Sequence, residues 1–198
     1  MREDVLVEWN PWWEEEFELE FVDRNILERI KKWIGRREVI ALTGARRSGK
    51  TTLMYIIIKN LLDESTPENI LFVKCDDERV EEPIIEGAIE KHTELFNPKG
   101  RRFLFLDEVQ NAKDWDKTVK RIYDLHENIK VCLSGSRILK NKISASLAGR
   151  SAYFSIFPFS FGEFLRSKEL KVETKIDALA KKRDIKYYLR RYLEFGAF

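Results

Sequence analysis

The residues best suited to chemistry are Gly44, Ala45, Arg46, Arg47, Ser48, Gly49, Lys50 and Thr51, in the pattern G-x-x-x-x-G-K-T. This spacing fits a loop that wraps phosphate groups. The two glycines let the backbone turn tightly and approach phosphate oxygens without a Cβ in the way. Successive N–H groups, through Thr52, are expected to face the phosphates at a helix N-terminus, where the dipole favours negative charge. Lys50 would bridge the β- and γ-phosphates, and the Thr51 hydroxyl would ligate Mg²⁺.

A second stretch, Arg101 to Glu108, has four apolar residues (Phe103, Leu104, Phe105, Leu106) followed by two acids. A carboxylate at the end of a buried strand can hold Mg²⁺ through water, which is the role expected of Asp107. Glu108 points to another side and can orient or deprotonate an attacking water. A third stretch, Ile129 to Leu133, is strand-like and ends in Ser134-Gly135-Ser136-Arg137. Ser134 and Ser136 are both candidates for sensing a γ-phosphate, and an ordinary serine-rich turn is the alternative. Arg150, just before the last strand-like run, reads either as a finger to a γ-phosphate, in its own or a neighbouring subunit, or as a surface arginine.

These residues need a scaffold, and the neighbouring patterns supply one. Glu38–Thr43 before the loop reads as a buried strand, and Thr52–Leu62 after it as a helix covered on most sides. Ile70–Cys75 and Ser151–Ile156 read as further strands, and residues 83–96 as a helix. Ile26, Leu27, Ile30, Trp33 and Ile34 predict an amphipathic helix with Asp23 as N-cap and Gly35 as its stop. Trp115, Val119, Ile122, Tyr123 and His126 share a helical face, which makes His126 a core-edge residue. Residues 138–147 are expected to be helical and closed by Gly149. Ser160 to Glu163 is a capping box opening another helix, and Ile185 to Leu193 is amphipathic with a basic, solvated side. Trp9, Trp12 and Trp13 are expected to pack on the domain or a partner. His92 is read as a surface or packed histidine, and Asp76-Asp77-Glu78 as a solvated loop.

The chain has 198 residues, 43% of them hydrophobic and 35% charged, with a formal net charge of +2. Such a balance argues against a strongly basic nucleic-acid binder. The single glutamine and the interspersed charge hint at a thermophilic source. Cys75 and Cys132 lie in apolar runs and read as buried free thiols of a reducing, cytoplasmic setting. Glu3, Asp4 and Glu8 stand where a secretory leader would be basic and apolar, and no run is long enough to span a membrane. The apolar ending at Phe198 reads as cut short.

Taken together, GARRSGKT (44–51), LDE (106–108), LSGSR (133–137), LAGR (147–150), FPFSFGEFL (157–165) and WNPWW (9–13) resemble a group of prokaryotic, largely archaeal AAA+-type P-loop ATPases. The resemblance implies an α/β three-layer sandwich with a mostly parallel five-stranded sheet of order 5-1-4-3-2. It also implies an ATPase core over 37–158, an N-terminal segment over 1–36 packing on it, and a helical extension over 159–198. Family members usually continue into winged-helix and nuclease-like regions, which are missing here and would carry any DNA or protein partner. The activity implied is ATP binding and slow Mg²⁺-dependent hydrolysis, possible also in a homo-oligomer. A nucleotide-dependent switch with little hydrolysis is the alternative. A small-molecule kinase stays open. A GTPase is disfavoured, because the guanine-like Thr174-Lys175-Ile176-Asp177 lies well past the fifth strand.

Overall fold

The computed structural model describes residues 1–14, 17–136 and 145–196. Five strands, β1 (Val39–Gly44), β2 (Ile70–Lys74), β3 (Arg102–Asp107), β4 (Ile129–Gly135) and β5 (Ser151–Ile156), form one sheet in the order β2-β3-β4-β1-β5. Every pairing is parallel. This is the predicted 5-1-4-3-2 order. Parallel strands need crossover helices, which cover both faces of a sheet. That is why β1 and β4 are buried along their whole length and are largely apolar.

The helices are α1 (Glu3–Trp9), α2 (Leu27–Ile34), α3 (Lys50–Leu62), α4 (Ile84–Phe96), α5 (Trp115–Leu125), α6 (Phe161–Ser167), α7 (Lys175–Ala180) and α8 (Lys182–Phe195). Leu53, Met54, Ile56, Ile57, Ile58 and Leu61 of α3 are all buried, as its all-round apolar pattern predicts. Because all five strands run the same way, their C-terminal ends lie on one edge. The order places the end of β4 between those of β1 and β3, so Gly44, Asp107 and Ser134 become neighbours.

The aromatic N-terminal stretch solves a problem that the sheet creates. Strand β2 is an edge, and its outward N–H and C=O groups need partners. Asn10, fully buried, supplies them: its Oδ1 accepts from Phe72 N (2.6 Å) and its Nδ2 donates to Phe72 O (2.9 Å) and Leu6 O (2.8 Å). Trp13 Nε1 donates to Ile70 O (3.0 Å) and Trp12 Nε1 to the same oxygen (3.3 Å). Trp9 and Trp12 are buried in the core, and Trp9 Nε1 reaches Asp77 (3.1 Å). The tryptophans therefore pack on the domain itself.

Several local expectations are corrected. Helix α2 starts at Leu27 with Ile26 at its cap and no side-chain cap bond, so Asp23 is not its N-cap. His126 is exposed, not at the core edge, because α5 ends at Leu125 and the backbone turns extended at His126. The helix expected over 138–147 falls largely outside the described residues. His92 is packed: it stacks on Trp13 (5.3 Å between centroids), and burial pushes its pKa down to about 4. Asp77 is spent on Arg79 (2.7 Å) and Trp9, as suits a structural loop. The Thr174 to Asp177 stretch is a capping box that opens α7, its two polar side chains bonded to each other's backbone.

Replacing Asn10 by Ala leaves the Phe72 N–H and C=O buried without partners. At about 1–3 kcal/mol for each unsatisfied group, Asn10→Ala is expected to cost roughly 2–5 kcal/mol in denaturant unfolding. A variant within 0.5 kcal/mol, on the order of a neutral surface change, would show that the edge is satisfied in another way.

Candidate nucleotide site

The loop between β1 and α3 is shaped by its two glycines. A Cβ at Gly44 would lie 2.3 Å from Ile156 O, so only glycine lets the loop leave β1 against the end of β5. Gly49 sits at φ +86 and caps α3, a left-handed conformation that costs glycine little. Arg47 also has positive φ, at 61, and Ala45, Arg46 and Arg47 are exposed. Lys50 opens α3 with its ammonium buried, 4% exposed. It donates to Ala45 O (3.1 Å) and Gly44 O (3.4 Å) and lies 3.4 Å from Glu108 Oε1. Ser48 is 2% exposed, and its hydroxyl is buried with no partner among the described residues.

Asp107, at the end of β3, is 2% exposed. Its Oδ2 accepts from the Thr51 hydroxyl (2.7 Å), and its Oδ1 from the Ser134 hydroxyl. Ser134 is fully buried at the end of β4 and accepts in turn from Glu108 N (3.1 Å). Glu108 turns into the left-handed region, φ 47, which separates its side chain from that of Asp107. One carboxylate oxygen faces Lys50, and the other accepts from Gln110 Nε2 (2.6 Å). Burial raises the pKa of Asp107; the hydroxyls of Ser134 and Thr51 oppose that, and Glu108 and Asp76 add to it.

Thr51, Asp107, Ser134 and Glu108 thus form one hydrogen-bonded group, and Lys50 joins it through its ion pair with Glu108. Ser136 lies just past the end of β4, half-buried. Thr52, exposed, follows Thr51 on α3. Arg150 is the exception. It precedes β5, whose Ser151 pairs with Val39 at the start of β1. Six residues of strand, roughly 20 Å, separate it from the loop. Its guanidinium instead meets Asp124 (3.0 Å). Within this chain Arg150 therefore stands at the opposite end of the sheet from the loop.

The residues fit a nucleotide with a divalent cation. Among the described residues no group of three His, Cys, Asp or Glu could hold a metal alone. A hydroxyl and a carboxylate at 2.7 Å suit an ion whose remaining ligands are phosphate oxygens and water. The partnerless Ser48 hydroxyl and the buried ammonium, held by its own loop's carbonyls, likewise suit a ligand rich in acceptors. Two features escaped the sequence reading. Arg24 is buried beneath the loop, donating to Ser48 O (3.1 Å) and paired with Glu163 (3.1 Å). A cleft of about 730 Å³ opens beside it, bounded by Ile26, Arg29, Phe157, Phe159 and Tyr192. Arg24 carries no local sequence signal, since its partners come from the far end of the chain.

A five-stranded parallel sheet of this order, with a glycine loop after β1 and an acidic pair closing β3, defines a P-loop α/β domain of the AAA+ type. The AAA domain family model matches residues 36–165, and the chain belongs to that family of nucleotide-binding ATPases. Over 165 residues it is 32% identical to the uncharacterized protein MJ1544 of Methanocaldococcus jannaschii, covering 81% of this chain and 35% of that protein. The chain thus spans about a third of that relative's length. Among solved structures it is similar to a DNA polymerase III gamma subunit-related protein of Thermotoga maritima (TM-score 0.53, 16% identity, 85% of this chain and 57% of that one). It is also similar to a DNA replication initiation factor (TM-score 0.52, 17% identity, 91% and 64%). At those identities the likeness is one of fold. Among the described residues no helix is long and apolar enough to cross a membrane.

The raised pKa of Asp107 has a measurable consequence. A carboxyl whose folded pKa exceeds its unfolded value favours the fold when protonated, and that stability is lost as pH rises through the folded pKa. In nucleotide-free protein, Asp107→Asn is therefore expected to melt at or above the native temperature at pH 7, with the gap closing below the ordinary carboxylate range. A variant clearly less stable at pH 7 would show that the two hydroxyl bonds outweigh the desolvation of the charge.

Proposed function

We propose that the chain binds ATP with Mg²⁺ and hydrolyses it slowly. The observation that carries this reading is the single group, three hydrogen bonds and one ion pair, joining Lys50 and Thr51 to Asp107, Glu108 and Ser134. In it, Gly44 to Thr52 hold the phosphates through backbone N–H groups. Lys50 exchanges its loop carbonyls for β- and γ-phosphate oxygens. Thr51 and, through water, Asp107 hold the cation, which supplies charge neutralisation at the transferring phosphoryl group. Ser134 keeps Asp107 oriented and is one bond from Glu108, a position from which it senses the γ-phosphate; Ser136 is the second candidate. Glu108 accepts the proton of the attacking water. Base and ribose lie in the cleft beside Arg24.

A specific observation also favours the second reading, a nucleotide-dependent switch with little hydrolysis. Both oxygens of Glu108 are engaged, by Lys50 and by Gln110. A base held this way acts only after Lys50 has moved to a phosphate, so turnover is gated. If Arg150 serves as a finger, it does so in a homo-oligomer, where it completes a neighbour's site.

Turnover of Mg·ATP by the native chain and by Glu108→Gln separates these readings. Hydrolysis by the native chain is expected, with a loss of 100-fold or more, on the order of a general base's contribution, in a variant that still binds ATP. Equal binding and no turnover in either protein would favour the switch.

A further inference from the structure

Arg24 is 8% exposed and lies in the linker before α2. Its guanidinium makes three bonds to three parts of the chain. Nη1 donates to Ser48 O in the phosphate loop (3.1 Å), Nη2 to Phe157 O at the exit of β5 (2.6 Å), and Nε to Glu163 Oε1 on α6 (3.1 Å). The ring of Phe159 packs against it, 4.9 Å from ring centroid to guanidinium carbon. Glu163 is as buried as Arg24 and is itself held: Oε1 also accepts from Asn25 N (2.9 Å), and Oε2 from Ser160 N (2.8 Å) and Ser160 Oγ (3.0 Å). A buried pair is weak evidence of stabilisation by itself, since apolar residues of like volume often serve as well. What it fixes is geometry.

The bond to Ser48 O is the informative one. In a trans peptide the C=O of one residue and the N–H of the next point in opposite directions. Holding Ser48 O on Arg24 therefore turns the Gly49 N–H away from Arg24, to the face of the loop that takes phosphate. Gly49 also makes room for this contact: a Cβ there would lie 3.0 Å from Arg24 Nη1. The second glycine of the motif thus admits an anchor from outside as well as a phosphate from inside.

We propose that Arg24 is a positioning residue for the phosphate loop, and that Glu163 acts through it, so that loop occupancy and α6 are energetically coupled. This rests on the reading of the loop as a nucleoside triphosphate site. Beyond α6 the contact continues into α8, where the Tyr192 ring packs on Phe161 and Phe164 (5.4 Å each) and its hydroxyl donates to Phe159 O (2.8 Å). Helix α8, which carries exposed Leu193 and Phe195, is thereby linked to the loop through Phe159 and Arg24.

The test is Mg·ATP affinity of the native chain, Arg24→Met, Arg24→Lys, Glu163→Gln and the double variant Arg24→Met/Glu163→Gln, with amide exchange of residues 160–167 with and without ATP. Arg24→Met is expected to weaken ATP binding at least tenfold. Arg24→Lys should not restore it, because one ammonium cannot reproduce the planar fork. Glu163→Gln should weaken it less, and should have no further effect once Arg24 is gone. ATP should slow exchange in 160–167 of the native chain and not of Glu163→Gln. A native chain that binds ATP while Glu163→Gln keeps full ATP-induced protection overturns the coupling, whether or not Arg24→Met folds. Folded Arg24 variants with native affinity overturn the positioning role. A native chain that does not bind ATP overturns the nucleotide reading, and the coupling with it.

Discussion

The buried carboxylate of Asp107 is where the central pieces of the molecule meet. It ends β3, takes a hydroxyl from β4 through Ser134, and takes another from α3 through Thr51. A charge this buried is costly unless hydrogen-bonded, and here two hydroxyls meet that need only in part, since the pKa remains raised. The fold keeps a carboxyl group in its interior, held by hydroxyls from two different elements. Parallel topology makes the arrangement possible. With every strand running one way and β4 seated between β1 and β3, the loop, Ser134 and the acidic pair share one edge without any long-range loop to bring them together.

Around that edge the chain uses its ends to finish what the sheet leaves open. The N-terminal segment covers the β2 edge through Asn10 and the tryptophans. Further along, Arg24 passes beneath the loop to meet Glu163. On the opposite end of the sheet, Lys130 is buried and donates to Trp33 O, Arg36 O and Glu38 O, which closes the C-terminus of α2 and the entry to β1. Burial lowers its pKa to about 8. Cys75 and Cys132 are free and buried; burial raises the pKa of both thiols, that of Cys132 to about 12, so they behave as packing groups. These contacts fix the frame, and the chemistry is left to the strand ends.

What was legible in the sequence followed from locality. The glycine loop, the apolar strands and the Ser160 capping box are written in adjacent residues, and they appear where the pattern predicts them. Sheet order came from family resemblance and not from periodicity, because nothing in a strand's own residues names its neighbour. The misses are non-local or depend on where a helix stops. His126 matched the apolar stripe of α5, but the helix ended one residue earlier. The end of the sheet at which Arg150 stands was not legible either, because sequence distance says nothing about which end a strand enters. Asn10 and Arg24 gave no signal, since the groups they satisfy lie 62 and 139 residues away.

If Lys50 holds its own loop's carbonyls only until phosphates replace them, ATP binding depends on it. Calorimetric titration of ATP into the native chain and into Lys50→Ala, each with and without Mg²⁺, tests this most directly. The expected result is saturable one-to-one binding by the native chain, tighter with Mg²⁺, and its loss in Lys50→Ala while the variant keeps a native melting temperature. Equal affinity in the two proteins, or no binding by the native chain, would contradict the account.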